Sequence, residues 1–313
     1  MGGGREAGGR EPGRGGREAG SRPRPVIRLV ALDLDGVVWR GGKVLPGARE
    51  ALDEVLRRGF DLRYVSNNST AHRETVSERL AGMGLPSGTE RVLTSGFVTG
   101  RWLRERLPEG APVQVVGEGG LLRELREAGL AAFSGCAPTD QAVGTGRAAA
   151  PPEVAAGVAQ PGVAAVVIGM DRSFTYEKLA AAQAAIFNGA LFVATNRDAT
   201  FPTPDGLLPG AGSIVAAVAT AAEREPVSMG KPGLALAEVL ASASGIPAAQ
   251  TLFVGDRLST DIAMGLAAGM VTALVLTGVT SEEDLRAVED RALPDHVIRD
   301  LSELPALLDA LNP

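Results

Sequence analysis

Two aspartates one residue apart, Asp33 and Asp35, close the apolar run Leu29-Val30-Ala31-Leu32-Asp33-Leu34-Asp35-Gly36. Side chains alternate along a strand, so both carboxylates leave its end on the same side. Held that close, they repel unless a cation lies between them or one keeps a proton. A plain turn after a strand is the other reading of this octapeptide. Three more places repeat the pattern of an apolar strand followed by a polar residue. They are Ser66-Asn67, Lys231 in Met229-Gly230-Lys231-Pro232, and Asp256 with Asp261 in Val254-Gly255-Asp256-Arg257-Leu258-Ser259-Thr260-Asp261. Brought together, these residues offer four carboxylates, a hydroxyl and an ammonium. That donor set suits a hard, oxygen-bound cation and a phosphoryl group. Lys231 carries a compositional signal as well, because only Lys43, Lys178 and Lys231 are lysines among 31 cationic residues. A compact point charge suits a confined phosphoryl oxygen better than a wide guanidinium does.

The elements that must position these groups follow from hydrophobic periodicity. Val26–Leu34 reads as a buried strand, and Ala48, Ala51, Leu52, Val55 and Leu56 share one helical face ended by Gly59. Strands over 62–65, 91–94, 113–117, 163–169, 191–195, 251–255 and 272–276 alternate with helices, including 121–128 and 176–187. Such alternation predicts an α/β protein with a doubly wound parallel sheet, in which the strand ends converge on one crevice. Pro202, Pro204, Gly206, Pro209, Gly210 and Gly212 read as a crossing between domains, and 144–162 as a Gly/Ala/Pro-rich loop. Ser66 and Lys231 lie 165 residues apart, more than two or three strand–helix units require, whereas Asp35 and Ser66 leave no room for a domain. A second domain is therefore expected between Ser66 and Lys231.

The order Asp-Leu-Asp-Gly, Ser-Asn-Asn-Ser, Gly-Lys-Pro and Gly-Asp-Arg-Leu-x-Thr-Asp resembles the haloacid dehalogenase (HAD) superfamily. It is most similar to the subfamily IIA phosphatases, the NagD-like, 4-nitrophenylphosphatase and glycerol-phosphate phosphatase group. Tyr176-Glu177-Lys178-Leu179, Ala194-Thr195-Asn196-Arg197-Asp198, Pro209-Gly210-Ala211-Gly212-Ser213 and Leu276-Thr277-Gly278-Val279 add to the likeness, which runs from about Val26 to Val279. The resemblance implies a Rossmann-like HAD core at 25–97 and 206–313, with an inserted α/β cap of the C2 type at 98–205. It implies Asp33 as nucleophile and Asp35 as general acid and base. It also implies Mg²⁺ held by Asp33, Asp256 and the Asp35 backbone carbonyl, with Asp261 in support. Ser66, Asn67, Asn68 and Lys231 would hold the phosphoryl oxygens. Asn196, Arg197, Asp198 and Phe201, which leave a cap strand as the chain re-enters the core, would select the substrate. The vitamin B6 phosphatase branch tends to carry His where this chain has Phe201, so pyridoxal phosphate is not expected. The expected substrate is a small phosphomonoester of the glycerol 3-phosphate, phosphoglycolate or sugar phosphate type, with 4-nitrophenyl phosphate accepted in vitro. A phospho-receiver signalling module shares the acceptor Asp, acidic ligands, hydroxyl and Lys, but lacks a cap-sized insertion and a need for Asp35. A phosphosugar mutase of the same superfamily would carry its cap between the first two motifs.

Composition narrows the partners. A net charge of −6 argues against nucleic acid, and no apolar run approaches the ~18 residues of a membrane span. The single cysteine, Cys136, excludes a disulfide framework and Cys-based metal sites. With charged residues where a signal peptide would be apolar, the expected home is the cytoplasm. Residues 1–24, with six Arg and three Glu among Gly, Ala and Pro, read as a disordered tail. Val116-Gly117-Glu118-Gly119-Gly120 reads as a turn, and Gly210–Ser213 as tight packing in preference to an anion cradle. His72 and His296 read as isolated surface residues. Homodimer formation is left open.

Overall fold

The computed structural model describes residues 26–135, 162–203, 206–289 and 292–313; the 1–24 segment, Cys136 and all but the last residue of 144–162 lie outside them. Every residue of the strand Leu29–Leu32 is buried, as its uninterrupted apolar sequence requires of a strand covered on both faces. It lies inside a six-stranded sheet in the order 296–298, 271–275, 251–255, 29–32, 61–66, 92–94. All of its neighbouring pairs are parallel. Leu32 sits opposite Val254 on one side and Tyr64 on the other, and Ser66 opposite Thr94. That register brings the carboxyl ends of three strands to one edge, and Asp33, Ser66 and Asp256 come with them. The helix Ala48–Arg57 covers the sheet with Ala48, Ala51, Leu52 and Val55, the face its periodicity selects. Each such Leu or Val contributes roughly 1.5–3 kcal/mol by leaving water.

A second, five-stranded sheet is also parallel, in the order 227–228, 191–194, 165–168, 112–116, 131–134. One apolar cluster runs from Leu29, Ala31 and Val65 through the helices Ser95–Arg104 and Ala235–Ser244 to Val113, Val115 and Val167, so the two sheets share packing. The inserted unit comes after the strand ending at Ser66. Only the short ribbon Trp39–Arg40/Lys43–Val44 and the helix Ala48–Arg57 separate that strand from Leu29–Leu32. The mutase arrangement is thereby ruled out.

Two expectations need correction. The second sheet continues past residue 205: Val227–Ser228 pairs with Val193–Ala194, and the helix Ala211–Ala222 packs Val215, Val218 and Ala219 on Val166, Ile168 and Ile186. The Pro/Gly stretch is not a plain crossing. Thr200–Thr203 and Gly206–Pro209 form an antiparallel ribbon with Phe201 opposite Leu208. A two-stranded ribbon consists of edge strands, which tolerate Pro.

Candidate active site

Asp33 continues its strand by one ladder bond, its N–H donating to Val254 O at 2.9 Å. Its Oδ1 accepts from Lys231 Nζ at 2.5 Å, and the same ammonium lies 2.7 Å from Asp261 Oδ1. Burial raises the Asp33 pKa well above the ordinary carboxylate value; Lys231 opposes this, and Asp261 and Asp256 add to it. Burial works against the Lys231 ammonium too, but Asp261 and Asp33 outweigh it and hold its pKa above the ordinary value. Asp35 lies at the surface of the next turn, its Oδ1 accepting from Trp39 Nε1 at 2.9 Å. At Gly36, φ is +86° and a Cβ would stand 2.4 Å from Asp256 Oδ2, so only glycine lets this turn approach the acidic loop.

The loop after Asp61–Ser66 is tied down on several sides. Asn67 Oδ1 accepts the Lys231 N–H at 2.8 Å, while its Nδ2 donates to Lys231 O at 3.1 Å and to Asp198 Oδ2 at 3.1 Å. Asn67 O accepts from Ser95 Oγ at 2.7 Å and from Asn196 Nδ2 at 2.8 Å. The Asn67 amide thus braces the lysine turn. Ser66 Oγ accepts from the Asn68 N–H at 3.2 Å, and Asn68 Oδ1 accepts from the Thr70 N–H at 2.8 Å.

The acidic loop follows Thr251–Gly255 and enters a turn of π-helix over Leu258–Ile262. Asp261 Oδ2 accepts the N–H groups of Asp256 and Arg257 at 3.3 and 3.1 Å, and Asp256 Oδ2 that of Val279 at 2.8 Å. Burial, reinforced by Asp261, pushes Asp256 up to about 6. One carboxylate oxygen from each of Asp33, Asp256 and Asp261 lies within 4.8 Å of the other two. Three buried carboxylates against one ammonium leave the cluster short of positive charge, and an all-oxygen donor set fits a hard divalent cation. Among the described residues, the Asp35 carbonyl accepts no hydrogen bond, so it is free to join that set.

These groups line a cleft of about 820 Å³ that also reaches the second unit through Asn196, Asp198 and Phe201. Arg197 departs from expectation: its guanidinium pairs with Glu225 at 2.7 Å, its side chain is 49% exposed, and it does not line the cleft. Asn196 bonds Asn67 O and accepts the Asp198 N–H at 3.1 Å, so it joins the two units. Burial raises the Asp198 pKa, opposed by the Asn67 bond. Gly210 and Gly212 serve close packing, their N–H groups donating to Ala199 O and Asp198 O. A Cβ at either would come within 2.5 Å of backbone oxygen. The turn at Gly117–Gly120 packs likewise, with the Gly120 N–H on Thr70 O at 3.2 Å.

His72 is not a surface residue. It is 5% exposed, its Nδ1 accepts the Glu74 N–H that starts the helix Arg73–Gly82, and its Nε2 lies 3.0 Å from Glu127. Sequence reasoning also missed Trp39, Arg40, Arg79 and Arg257, of which the three arginines line the cleft. Trp39 alone left a trace, as one of two tryptophans in an aromatic-poor chain, four residues after Asp35.

This arrangement has counterparts. A haloacid dehalogenase-like hydrolase model matches residues 30–131, and a HAD-hydrolase-like model matches 228–304. Glycerol-3-phosphate phosphatase of Gallus gallus is 39% identical over 315 residues, covering 94% of this chain and 97% of that protein. This chain belongs to the haloacid dehalogenase-like hydrolases. Two solved members share its fold. The p-nitrophenyl phosphatase from Archaeoglobus fulgidus superposes with a TM-score of 0.77 at 31% identity, covering 91% of this chain and 100% of that one. A glycerol phosphate phosphatase from Mycobacterium tuberculosis in complex with magnesium gives 0.76 at 33%, covering 89% and 76%. The first matched segment runs through strands of the first sheet and on into the second, as far as Ala131, and the second segment begins at Ser228. Between them they hold Asp33, Ser66, Lys231, Asp256 and Asp261.

Proposed function

We propose that this hydrolase is a Mg²⁺-dependent phosphatase that cleaves small organic phosphomonoesters through an aspartyl-phosphate on Asp33. The observation that carries the reading is the Asp33–Lys231–Asp261 ion-paired chain beside Asp256 at the floor of the cleft. Its relatives are phosphatases, and the enzyme class, phosphoric monoester hydrolase, follows from them. The receiver reading fails on the same ground. Asp33, Asp256 and the Asp35 carbonyl would hold Mg²⁺, with Asp261 in support. Bound there, the ion offsets carboxylate repulsion and the charge of the phosphoryl oxygens.

The phosphoryl group sits against Ser66, Asn68 and the Lys231 ammonium, with Asn67 bracing the lysine turn. An Asp33 oxygen attacks phosphorus in line, the ester P–O bond breaks, and Asp35 gives its proton to the departing alkoxide. Asp35 then takes a proton from the water that attacks phosphorus, which releases inorganic phosphate and restores Asp33. Asp198, Phe201 and the second unit cover the cleft and receive the alcohol portion, as expected for glycerol 3-phosphate, phosphoglycolate or a sugar phosphate. The cytoplasm is its proposed compartment; among the described residues no helix is long and apolar enough to cross a membrane.

A phosphate-release screen over a panel of metabolite phosphomonoesters and 4-nitrophenyl phosphate tests the proposal. Activity is expected with Mg²⁺, none in excess chelator, and inhibition by Ca²⁺, whose longer bonds and higher coordination draw both Asp33 oxygens. Full activity in chelator contradicts it.

A further inference from the structure

The acid–base residue has a partner that the mechanism above does not use. The Asp35 carboxyl is exposed, yet its Oδ1 accepts a hydrogen bond from Trp39 Nε1 at 2.9 Å. Trp39 itself is 2% exposed, and the Arg79 guanidinium lies 4.5 Å over its ring. The backbone closes the same unit: the Trp39 N–H donates to Leu34 O at 3.1 Å and the Gly36 N–H to Trp39 O at 2.8 Å. Next in the chain, Arg40 Nη2 donates to Gly278 O at 2.8 Å, and Thr277 Oγ1 returns a bond to Gly36 O at 2.6 Å. The acid's turn is thereby fastened to the loop whose Val279 N–H orients Asp256.

We infer that Trp39 is a positioning residue that fixes the Asp35 carboxyl through Oδ1 and leaves Oδ2 to carry the proton given to the leaving group. The inference rests on the acid–base reading of Asp35. An exposed Asp side chain otherwise samples several staggered rotamers, only some of which point at the departing oxygen. An indole N–H donates and cannot accept, and the carbonyl oxygen of a carboxylic acid is its better acceptor, so the bond to Oδ1 favours the acid form with its proton on Oδ2. When the ester bond breaks, that proton moves from Oδ2 to the alkoxide, and the carboxylate left behind keeps the indole bond on Oδ1. Small displacements of such a group are costly in rate, because proton transfer needs hydrogen-bond reach.

Trp39→Phe keeps an aromatic ring under Arg79 and removes the donor together with part of the ring volume, a loss that on its own would fall equally on all substrates. kcat/KM with Mg²⁺ across phosphomonoesters of graded leaving-group basicity reads the step up to the aspartyl-phosphate. The variant is expected to lose about tenfold or more on alkyl phosphates and no more than about threefold on 4-nitrophenyl phosphate, whose leaving group needs little protonation. An equal loss on both, or no loss on either, overturns the inference. A wild-type enzyme inactive on the whole series would instead defeat the phosphatase reading. A second readout keeps the tryptophan: in Trp102→Phe protein Trp39 is the single indole, and adding Asp35→Ala is expected to shift its fluorescence emission. An unchanged spectrum overturns the inference as well.

Discussion

Lys231 is the residue on which the site's electrostatics turn. Its ammonium is buried between Asp33 and Asp261, so removing it leaves buried carboxylates uncompensated, a change that typically costs about 3–5 kcal/mol. Lys231→Met should lower the urea-unfolding free energy at pH 7 by about that amount, and added Mg²⁺ should restore part of it by supplying the missing positive charge. A loss under about 1 kcal/mol would mean that the ion pairs contribute little. The importance of Lys231 was legible because lysine is rare in this chain and sits in a Gly-Lys-Pro turn. The burial of His72 was not, since Glu124 and Glu127 reach it from a helix some fifty residues on. Arg197 misled for the complementary reason: its position beside two cleft residues said nothing of Glu225.

At the scale of elements, the strand–helix alternation was readable because fully buried parallel strands are written as continuous apolar runs. The helix expected at 176–187 is found at Tyr176–Phe187. The ribbon at Thr200–Pro209 was hidden by its prolines, which signal a break unless the strands are known to be edges. The loop before Tyr176 offers a clean test of a local contact. Asp171 accepts from Lys178 Nζ at 2.7 Å and from the Ser173 N–H at 2.9 Å. Burial would raise its pKa, but these bonds, with the Ser173 hydroxyl, outweigh it and hold the carboxyl below its ordinary value. Asp171→Asn should cost about 1–3 kcal/mol at pH 7. A depressed carboxyl lends its full stability above the unfolded pKa and loses it as pH falls through the native value. The gap between wild type and variant should therefore narrow below about pH 4. A gap constant from pH 7 to 3 in denaturant titrations would show that the ionised carboxylate is not what matters.

Across the whole molecule, the cleft is lined both by residues at one edge of the first sheet and by residues of the second unit. The limit of that unit could not be read from the chain, because an amphipathic helix such as Ala211–Ala222 shows which face it buries and not against which sheet. Phe201 reaches the cleft from the ribbon, whereas Lys231 and Ser66 reach it from other elements. Phe201→His should reorder relative kcat/KM values several-fold across small and large phosphomonoesters, while inhibition by inorganic phosphate stays nearly unchanged. Identical rankings would place substrate selection on another part of the second unit. The central claim is that Asp33 takes the phosphoryl group, and steady-state phosphate release by Asp33→Asn with Mg²⁺ tests it most directly. The account predicts a fall of at least about a thousandfold in a protein that still melts cooperatively, because an amide of nearly the same shape is a poor nucleophile. Turnover within tenfold of wild type by that folded variant would contradict it.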